Sequence, residues 1–347
     1  MQKRPSSKVI DLTRERDASP PRKTAKFQVA PRDQKQISVT DDSPKWKLHL
    51  AAHGWAKVEN VLSLNECDEY LSEFWSWLEA YNPQIKRDNP ETWTSKNWPL
   101  GSHGLVQHYR FGHAEFVWKI RSTPTILKIF AEIYQCEPED LIVSFDGGKA
   151  SRPVKETKVQ EGWQHLDQGY RKSDRNPSSF KVVQGYVALT NCNGGTMVYD
   201  NSHLYHHEFG KHFKKVTKDN WVMLTDEEKA WYLSRGCTEQ MISLKAGGLG
   251  LWDSRAVHWA EEPSDGPRFG VFVSFMRKSD ATEKALARRL EIFNDRRMTT
   301  HWAAFPKLFG MAPRTYGNPK LEAKIKDCKT IKNKKLTPAM KSLIPFK

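Results

Sequence analysis

Between residues 50 and 300 the spacing of apolar positions changes from helical to alternating. Cys67, Tyr70, Leu71, Phe74, Leu78 and Tyr81 recur every three or four residues behind Ser63 and Glu66, which predicts an amphipathic helix opened by a capping box. Thr123-Pro124 puts proline in a first turn, and Leu127, Phe130, Ile133 and Tyr134 predict a second buried helix. After Pro138 the segments shorten. Leu141–Phe145 ends at Asp146-Gly-Gly, as a strand running into a turn does. Phe180–Thr190, Thr196–Tyr199, Met241–Leu244, Gly248–Trp252 and Phe269–Met276 are β-branched or aromatic and bounded by Gly, Asn or Asp, so they predict further strands. Thr225 with Glu228 predicts a capped helical insertion that stops at Gly236, and Ala281–Arg297 predicts a closing amphipathic helix. Helices packed around several short strands predict an α+β chain with a mainly β core, a jelly roll with flanking helices.

Charge refines this outline by marking the ends. Of 55 Lys/Arg and 41 Asp/Glu, residues 1–47 hold 12 and 6 and residues 307–347 hold 11 and 2, which leaves 32 and 33 for the body. The body is neutral and the ends are basic, so contacts with an anionic partner such as nucleic acid are expected through the tails rather than a charged groove. Residues 1–45 are poor in apolar positions and read as a disordered tail, 46–315 as one folded domain, and 316–347, broken by Pro319, Pro338 and Pro345, as a loosely packed basic tail. Val9–Thr13 (VIDLT) resembles a SUMO-interacting motif, and Lys3-Arg4 and Arg22-Lys23 suit nuclear-localisation signals, so an intracellular and nuclear location is expected. No apolar run approaches the ~20 residues that span a bilayer, and no secretory h-region is visible, so no membrane partner is expected. Five scattered cysteines without a CxxC pair imply neither a zinc site nor a disulfide framework.

The candidate chemistry lies in the strand-rich half. His165 and Asp167 are two residues apart, so on a strand both side chains face one way and can grip one metal ion. His258, on a distant predicted strand, completes two imidazoles and one carboxylate. That set can hold non-haem Fe(II) and leave a face open for an oxo acid and O₂. Arg268 follows at a position where a guanidinium fork can hold a dicarboxylate.

His165-x-Asp167, Thr190–Thr196 leading to Asp200-Asn-Ser-His203, and Gly247–Asp253 before His258 and Arg268 together resemble the phytanoyl-CoA dioxygenase family of 2-oxoglutarate oxygenases, over roughly residues 50–300. The resemblance implies a cupin-like double-stranded β-helix. It implies Fe(II) without haem, held by His165, Asp167 and His258, with 2-oxoglutarate paired to Arg268 and O₂ as co-substrate. It also implies oxidation, in the first place hydroxylation, of a substrate the sequence does not identify. Three departures are visible: Leu166 stands where members often have Gln, Ala260 where a small hydroxyl residue is common, and nothing corresponds to a CoA site. An intact Asp167 argues against the halogenase variant, which needs that ligand position vacant.

The competing expectation is a catalytically silent jelly roll that binds nuclear or nucleic-acid partners through its tails. Gln164, Gln168 and Asp253 neighbour the candidate ligands and are the expected groups to orient them. His203 is placed by the resemblance near a pocket rim. His206, His207 and His212 read as loop residues. Trp75, Trp77 and Trp118 suit a core, while Trp93, Trp98 and His103 suit a substrate loop.

Overall fold

The computed structural model describes residues 36–99, 104–153, 163–170, 176, 178–217, 220–309 and 328–345. In chain order the strands are β1 (Trp55–Val58), β2 (Leu105–Val106), β3 (Leu141–Val143), β4 (Gly148–Ser151), β5 (His165–Leu166), β6 (Val183–Ala188), β7 (Gly195–Tyr199), β8 (Val222–Met223), β9 (Glu239–Ile242), β10 (Leu249–Asp253), β11 (His258–Glu261) and β12 (Arg268–Arg277). The α-helices are α1 (Lys45–His53), α2 (Leu64–Tyr81), α3 (Glu115–Arg121), α4 (Pro124–Tyr134), α5 (His206–His212), α6 (Asp226–Ser234), α7 (Glu283–Asn294) and α8 (Pro338–Ser342). Seven strands form a major sheet in the order β1-β10-β6-β12-β4-β2, with β3 on the far end of β12. Five form a minor sheet, β8-β5-β11-β7-β9. Every strand pair is antiparallel, as a jelly roll requires.

Both faces of the major sheet are covered, which is why its strands read as nearly continuous apolar runs. Because side chains alternate along a strand, Phe269, Val271, Val273 and Phe275 of β12, Val183 and Val187 of β6, and Leu249 and Leu251 of β10 point outward. They enter one large core with Phe74 and Trp75 of α2, Val117 of α3 and Phe130 of α4. The intervening residues point inward: Tyr186, Ala188 and Trp252 pack against Val198 and Ile242 of the minor sheet. The outer face of the minor sheet has a smaller core in which Leu166, Tyr199, Val222 and Val257 meet Phe209 and Tyr232.

The two capping boxes form as expected. Ser63 accepts from the Glu66 amide while the Glu66 carboxylate accepts from the Ser63 amide, and Thr225 with Glu228 repeats the arrangement. Gly236, at φ +84°, ends α6 in the left-handed conformation that suits glycine. The helix expected over 281–297 spans Glu283–Asn294, capped by Thr282. No helix among the described residues is long and apolar enough to cross a membrane.

Three outcomes differ from the expectation at the chain ends. Within 1–45, Ile37 is buried, Gln36 Oε1 accepts from Arg255 Nη2 at 2.9 Å, and α1 begins at Lys45. Of the expected C-terminal tail, residues 328–345 pack into the core through Ile331, Leu343 and Ile344. The reason is the apolar burial of these side chains, with the Val143 amide of β3 donating to Leu343 O and buried Arg289 fastening the contact by donating to Val143 O, Leu343 O and Ala303 O. Lys335, counted with the free basic charge, pairs with Glu115 at 2.6 Å. The motif at Val9–Thr13, the basic pairs at 3–4 and 22–23, and His103 lie outside the described residues.

Candidate metal centre

The minor sheet brings the three predicted ligands together. His165 of β5 and His258 of β11 face each other directly in the ladder, and their ring centroids are 4.2 Å apart. Leu166 points into the outer core, so His165 and, two residues on, Asp167 turn inward. One ligand atom from each of His165, Asp167 and His258 lies within 4.8 Å of the other two. His258 Nε2 is 3.3 Å and His165 Nε2 3.8 Å from Asp167 Oδ2.

The tautomers follow from the hydrogen bonds. His165 Nδ1 is 2.9 Å from Trp163 O, and His258 Nδ1 is 3.0 Å from Ala256 O. A carbonyl can only accept, so each Nδ1 carries the proton and each Nε2 presents a lone pair toward Asp167. Burial would raise the Asp167 acid, but the neighbouring imidazoles of His301, His165 and His258 hold it well below the usual carboxylate range. His301 is itself pushed by burial down to about 4, so it is neutral at pH 7 and its charge acts on Asp167 only in acid. At neutral pH the anion is held by Gln184, whose Nε2 donates to Asp167 Oδ2 at 2.9 Å. Two bare imidazole nitrogens and one ionised carboxylate fit a divalent first-row metal such as Fe(II).

The triad opens into a cavity of about 670 Å³ whose lining also includes Lys149, Thr196 and Arg268. Arg268 shares its strand face with Phe272, another lining residue, while Phe269 beside it anchors the outer core. Arg268 is 4% exposed, and its guanidinium donates to Gly195 O at 2.8 Å and Thr196 Oγ1 at 3.2 Å, with the Tyr186 ring 4.8 Å away. No carboxylate among the described residues lies within ion-pair distance of it. A second buried cation, Lys149, pairs with Glu262 at 2.6 Å; burial, then the charge of Arg268, draws its pKa down to about 8. A buried guanidinium with no carboxylate among the described residues within ion-pair distance favours an anionic ligand at this end of the cavity. The hydroxyl missing at Ala260 is met across the ladder, where Thr196 stands opposite Ala260 and contacts Arg268.

Other expected site residues land elsewhere. Gln168 and Asp253 do not touch the imidazoles or the Asp167 carboxylate. Gln168 donates to Ser179 O and accepts from Ser254, whose carbonyl receives the amides of Asp167 and Gln168, so the network sets the Asp167 backbone. Asp253 is fully buried against Arg255 at 2.6 Å. Gln164 acts through its backbone carbonyl, which accepts from the Leu224 amide. His203 is not at the rim: it is 3% exposed under Gly54, where a side-chain carbon would come 2.5 Å from its Nδ1, and this turn is open only to a glycine at φ +80°. Trp93 and Trp98 belong to the core, with centroids 4.9 and 6.1 Å from Trp75. They seat the outer face of β12 because Trp75 also packs on Phe269. His206 is buried and His212 stacks on Trp231.

Two contributors were not foreseen. Gln184 is a lone amide in an apolar strand, a signal that was present in Val182-Val183-Gln184-Gly185-Tyr186. His301, with Trp302 and Phe305, comes from a loop closed by the Thr299–Leu308 bridge, and only the His-Trp pair hinted at it.

A jelly roll that gathers two imidazoles, a carboxylate and a buried arginine around one open cavity defines the class of 2-oxoglutarate-dependent non-haem iron oxygenases. The family comparison agrees. Residues 50–270 match the model of the family "Phytanoyl-CoA dioxygenase (PhyH)". "Ava biosynthesis cluster protein O" of Aspergillus versicolor is 26% identical over 287 residues, 77% of this chain and 90% of that protein. The structure of GIG2 (DUF1479) from Candida albicans shares the fold at a TM-score of 0.52 and 13% identity, covering 88% of this chain and 81% of that one. The epimerase SnoN, solved with Fe3+, alpha ketoglutarate and nogalamycin RO, is 18% identical, with a TM-score of 0.45 over 66% of this chain and 81% of its own. The chain belongs to the phytanoyl-CoA dioxygenase family, whose cofactor is Fe(II) and whose co-substrate is 2-oxoglutarate.

Proposed function

We propose that the protein is a hydroxylase in which His165, Asp167 and His258 hold Fe(II) and Arg268 clamps the distal carboxylate of 2-oxoglutarate. The carrying observation is that the three ligand atoms share one cavity with a buried guanidinium that has no carboxylate partner among the described residues. Iron, when bound, supplies the redox chemistry by which O₂ oxidises 2-oxoglutarate to succinate and CO₂ and delivers its second oxygen atom to a C–H bond. The chain's own part is orientation. Trp163 O and Ala256 O fix the two imidazole planes, and Gln184 keeps Asp167 turned toward them. Gly195 O and Thr196 Oγ1 aim Arg268, with Lys149 adding a second positive charge nearby.

The test uses the full-length protein with Mn(II) as a redox-inert stand-in, then Fe(II). Calorimetry is expected to give one Mn(II) per chain, 2-oxoglutarate binding that depends on Mn(II), and succinate release with Fe(II) and O₂. Asp167→Ala is expected to lose Mn(II) binding while keeping its circular dichroism spectrum. Unchanged metal content in a folded Asp167→Ala variant would sink the assignment.

A further inference from the structure

Away from Arg268 the cavity leads to solvent through a mouth made of rings. One wall is the edge strand β8. Met223 stands directly opposite His165 in the ladder, so it shares the inner face with that ligand, and Trp221, two residues earlier, lies on the same face. The centroids of Trp221 and Trp163 are 6.0 and 4.6 Å from that of His165. A second wall is the 299–308 loop, in which Trp302 packs 5.2 Å from His301 and Phe305 lies 6.5 Å from Trp302.

Exposure singles this mouth out. Trp221 is 48% and Phe305 53% exposed, no other Phe, Trp or Tyr among the described residues is classed as exposed, and both line this cavity. Large aromatics left in water at one cleft mark a contact surface. The charge there is sparse. Of the charged lining residues, Lys307 is the exposed one, while Lys149, Arg268 and Asp146 are buried and Asp167 faces the triad. Among the described residues of the lining, a polyphosphate such as the coenzyme A moiety would meet a single exposed cation, and a cationic ligand no exposed carboxylate. Polar demand comes from four lining residues that each carry a buried atom without a hydrogen-bond partner among the described residues: the acceptor Asn220 Oδ1, the donor Trp252 Nε1, and Thr300 Oγ1 and His301 Nε2. The cavity volume of about 670 Å³ lies within the ~300–1,000 Å³ typical of small-molecule sites.

We propose that the mouth binds an uncharged, planar aromatic or fused-ring molecule bearing hydroxyl or carbonyl groups, stacked on Trp221 and Phe305 and presented to the metal centre as substrate. This rests on the oxygenase assignment above for the word substrate, and on the rings alone for binding.

Flavone, a neutral planar ketone, serves as the probe, with decanoyl-coenzyme A as the acyl alternative. Both are titrated calorimetrically into the full-length protein, with and without Mn(II) and 2-oxoglutarate. Flavone is expected to saturate at micromolar concentration and decanoyl-coenzyme A to bind at least tenfold more weakly. Trp221→Ala and Phe305→Ala are each expected to weaken flavone at least tenfold, Trp221→Phe less than threefold, with Mn(II) and 2-oxoglutarate affinities held in all three. Tighter binding of decanoyl-coenzyme A, no saturable flavone binding, or equal flavone affinity in both alanine variants overturns the proposal. Loss of Mn(II) and 2-oxoglutarate binding in the unmutated protein overturns the oxygenase assignment instead, and flavone binding to the metal-free protein still decides this one.

Discussion

The seven-stranded sheet is covered on both faces, whereas the five-stranded sheet ends in a two-residue edge strand whose inner face opens to solvent. Both sheets line the cavity, yet they contribute differently. The major sheet presents Gln184, Trp252, Arg268 and Phe272, each backed on the neighbouring position by a core residue such as Val183 or Phe269. The minor sheet presents His165 and His258 over a small outer core, and beside them the half-exposed Trp221 and Met223. The difference separates stability from chemistry. A change behind the major sheet is paid across the whole fold, while a change on the inner face of the minor sheet is felt mainly by what binds there.

The largest effect is expected behind the major sheet. Phe74 is fully buried, with ring centroids 4.8 Å from Phe111, 5.4 Å from Phe116 and 4.9 Å from Phe269. Phe74→Ala should cost about 3–5 kcal/mol in urea unfolding, the range for deleting a buried aromatic ring. Because Phe269 adjoins Arg268, the same variant should also weaken 2-oxoglutarate. A loss of stability below about 1 kcal/mol would mean that the two sheets are not separated as described.

At the inner face of the same sheet the effect should be smaller and confined to binding. Arg268→Lys keeps the charge but loses the planar fork that donates toward Gly195 and Thr196. Calorimetric affinity for 2-oxoglutarate on the Mn(II) protein should fall tenfold or more, consistent with ~1.5–3 kcal/mol for a charge-assisted hydrogen bond, while the urea midpoint stays close to that of the unmutated chain. An unchanged affinity in Arg268→Ala would assign the clamp to another residue, with Lys149 the first to test.

What was legible in the sequence follows the same division. Local signals were read correctly: the capping boxes at Ser63 and Thr225, the proline-led α4, and the strands of 180–190 and 269–276 each carry their period within a few residues. That His165, Asp167, His258 and Arg268 would meet at one cavity was legible because the i, i+2 spacing and the order of motifs survive without knowing the fold. The strands β5 and β8, two residues each, are too short to show any period and exist through pairing with partners far along the chain. Trp93 and Trp98 sit in a Gly/Asn/Pro-rich stretch that reads as a loop, and only the distant Trp75 and Phe269 make it core. The C-terminal segment misled in the same way, since its lysines dominate the composition while Ile331, Leu343 and Ile344 do the packing. Gln168 and Asp253 neighbour the ligands in sequence, but the side chain that reaches Asp167 is Gln184, brought there by β6 in the major sheet.

The smallest effect concerns the polar support behind the site, and pH isolates it. His206 is buried, with Nε2 donating to Gln168 O at 2.6 Å and Nδ1 2.9 Å from Ser178 Oγ, whose hydroxyl can donate to the bare nitrogen of the neutral ring. Burial lowers its pKa to about 4, and His203 behaves alike at about 4 and His113 at about 3. The sign follows from proton counting. Between about 4 and the ordinary value of 6.5 the unfolded chain holds a proton on residue 206 that the folded chain lacks. Stability is therefore complete above pH 6.5 and falls as pH drops toward 4, by about 1.4 kcal/mol per pH unit for each such histidine. Urea unfolding at pH 5.0, 5.5 and 6.0, with EDTA present so that metal binding adds no protons of its own, should show this decline. His206→Gln should be less stable at every pH, because two hydrogen bonds are lost, but its decline should be shallower by about one proton. A variant with the same slope as the unmutated protein would show that His206 is protonated alike in both states, and the neutral polar support behind Gln168 would then have to be carried by other groups.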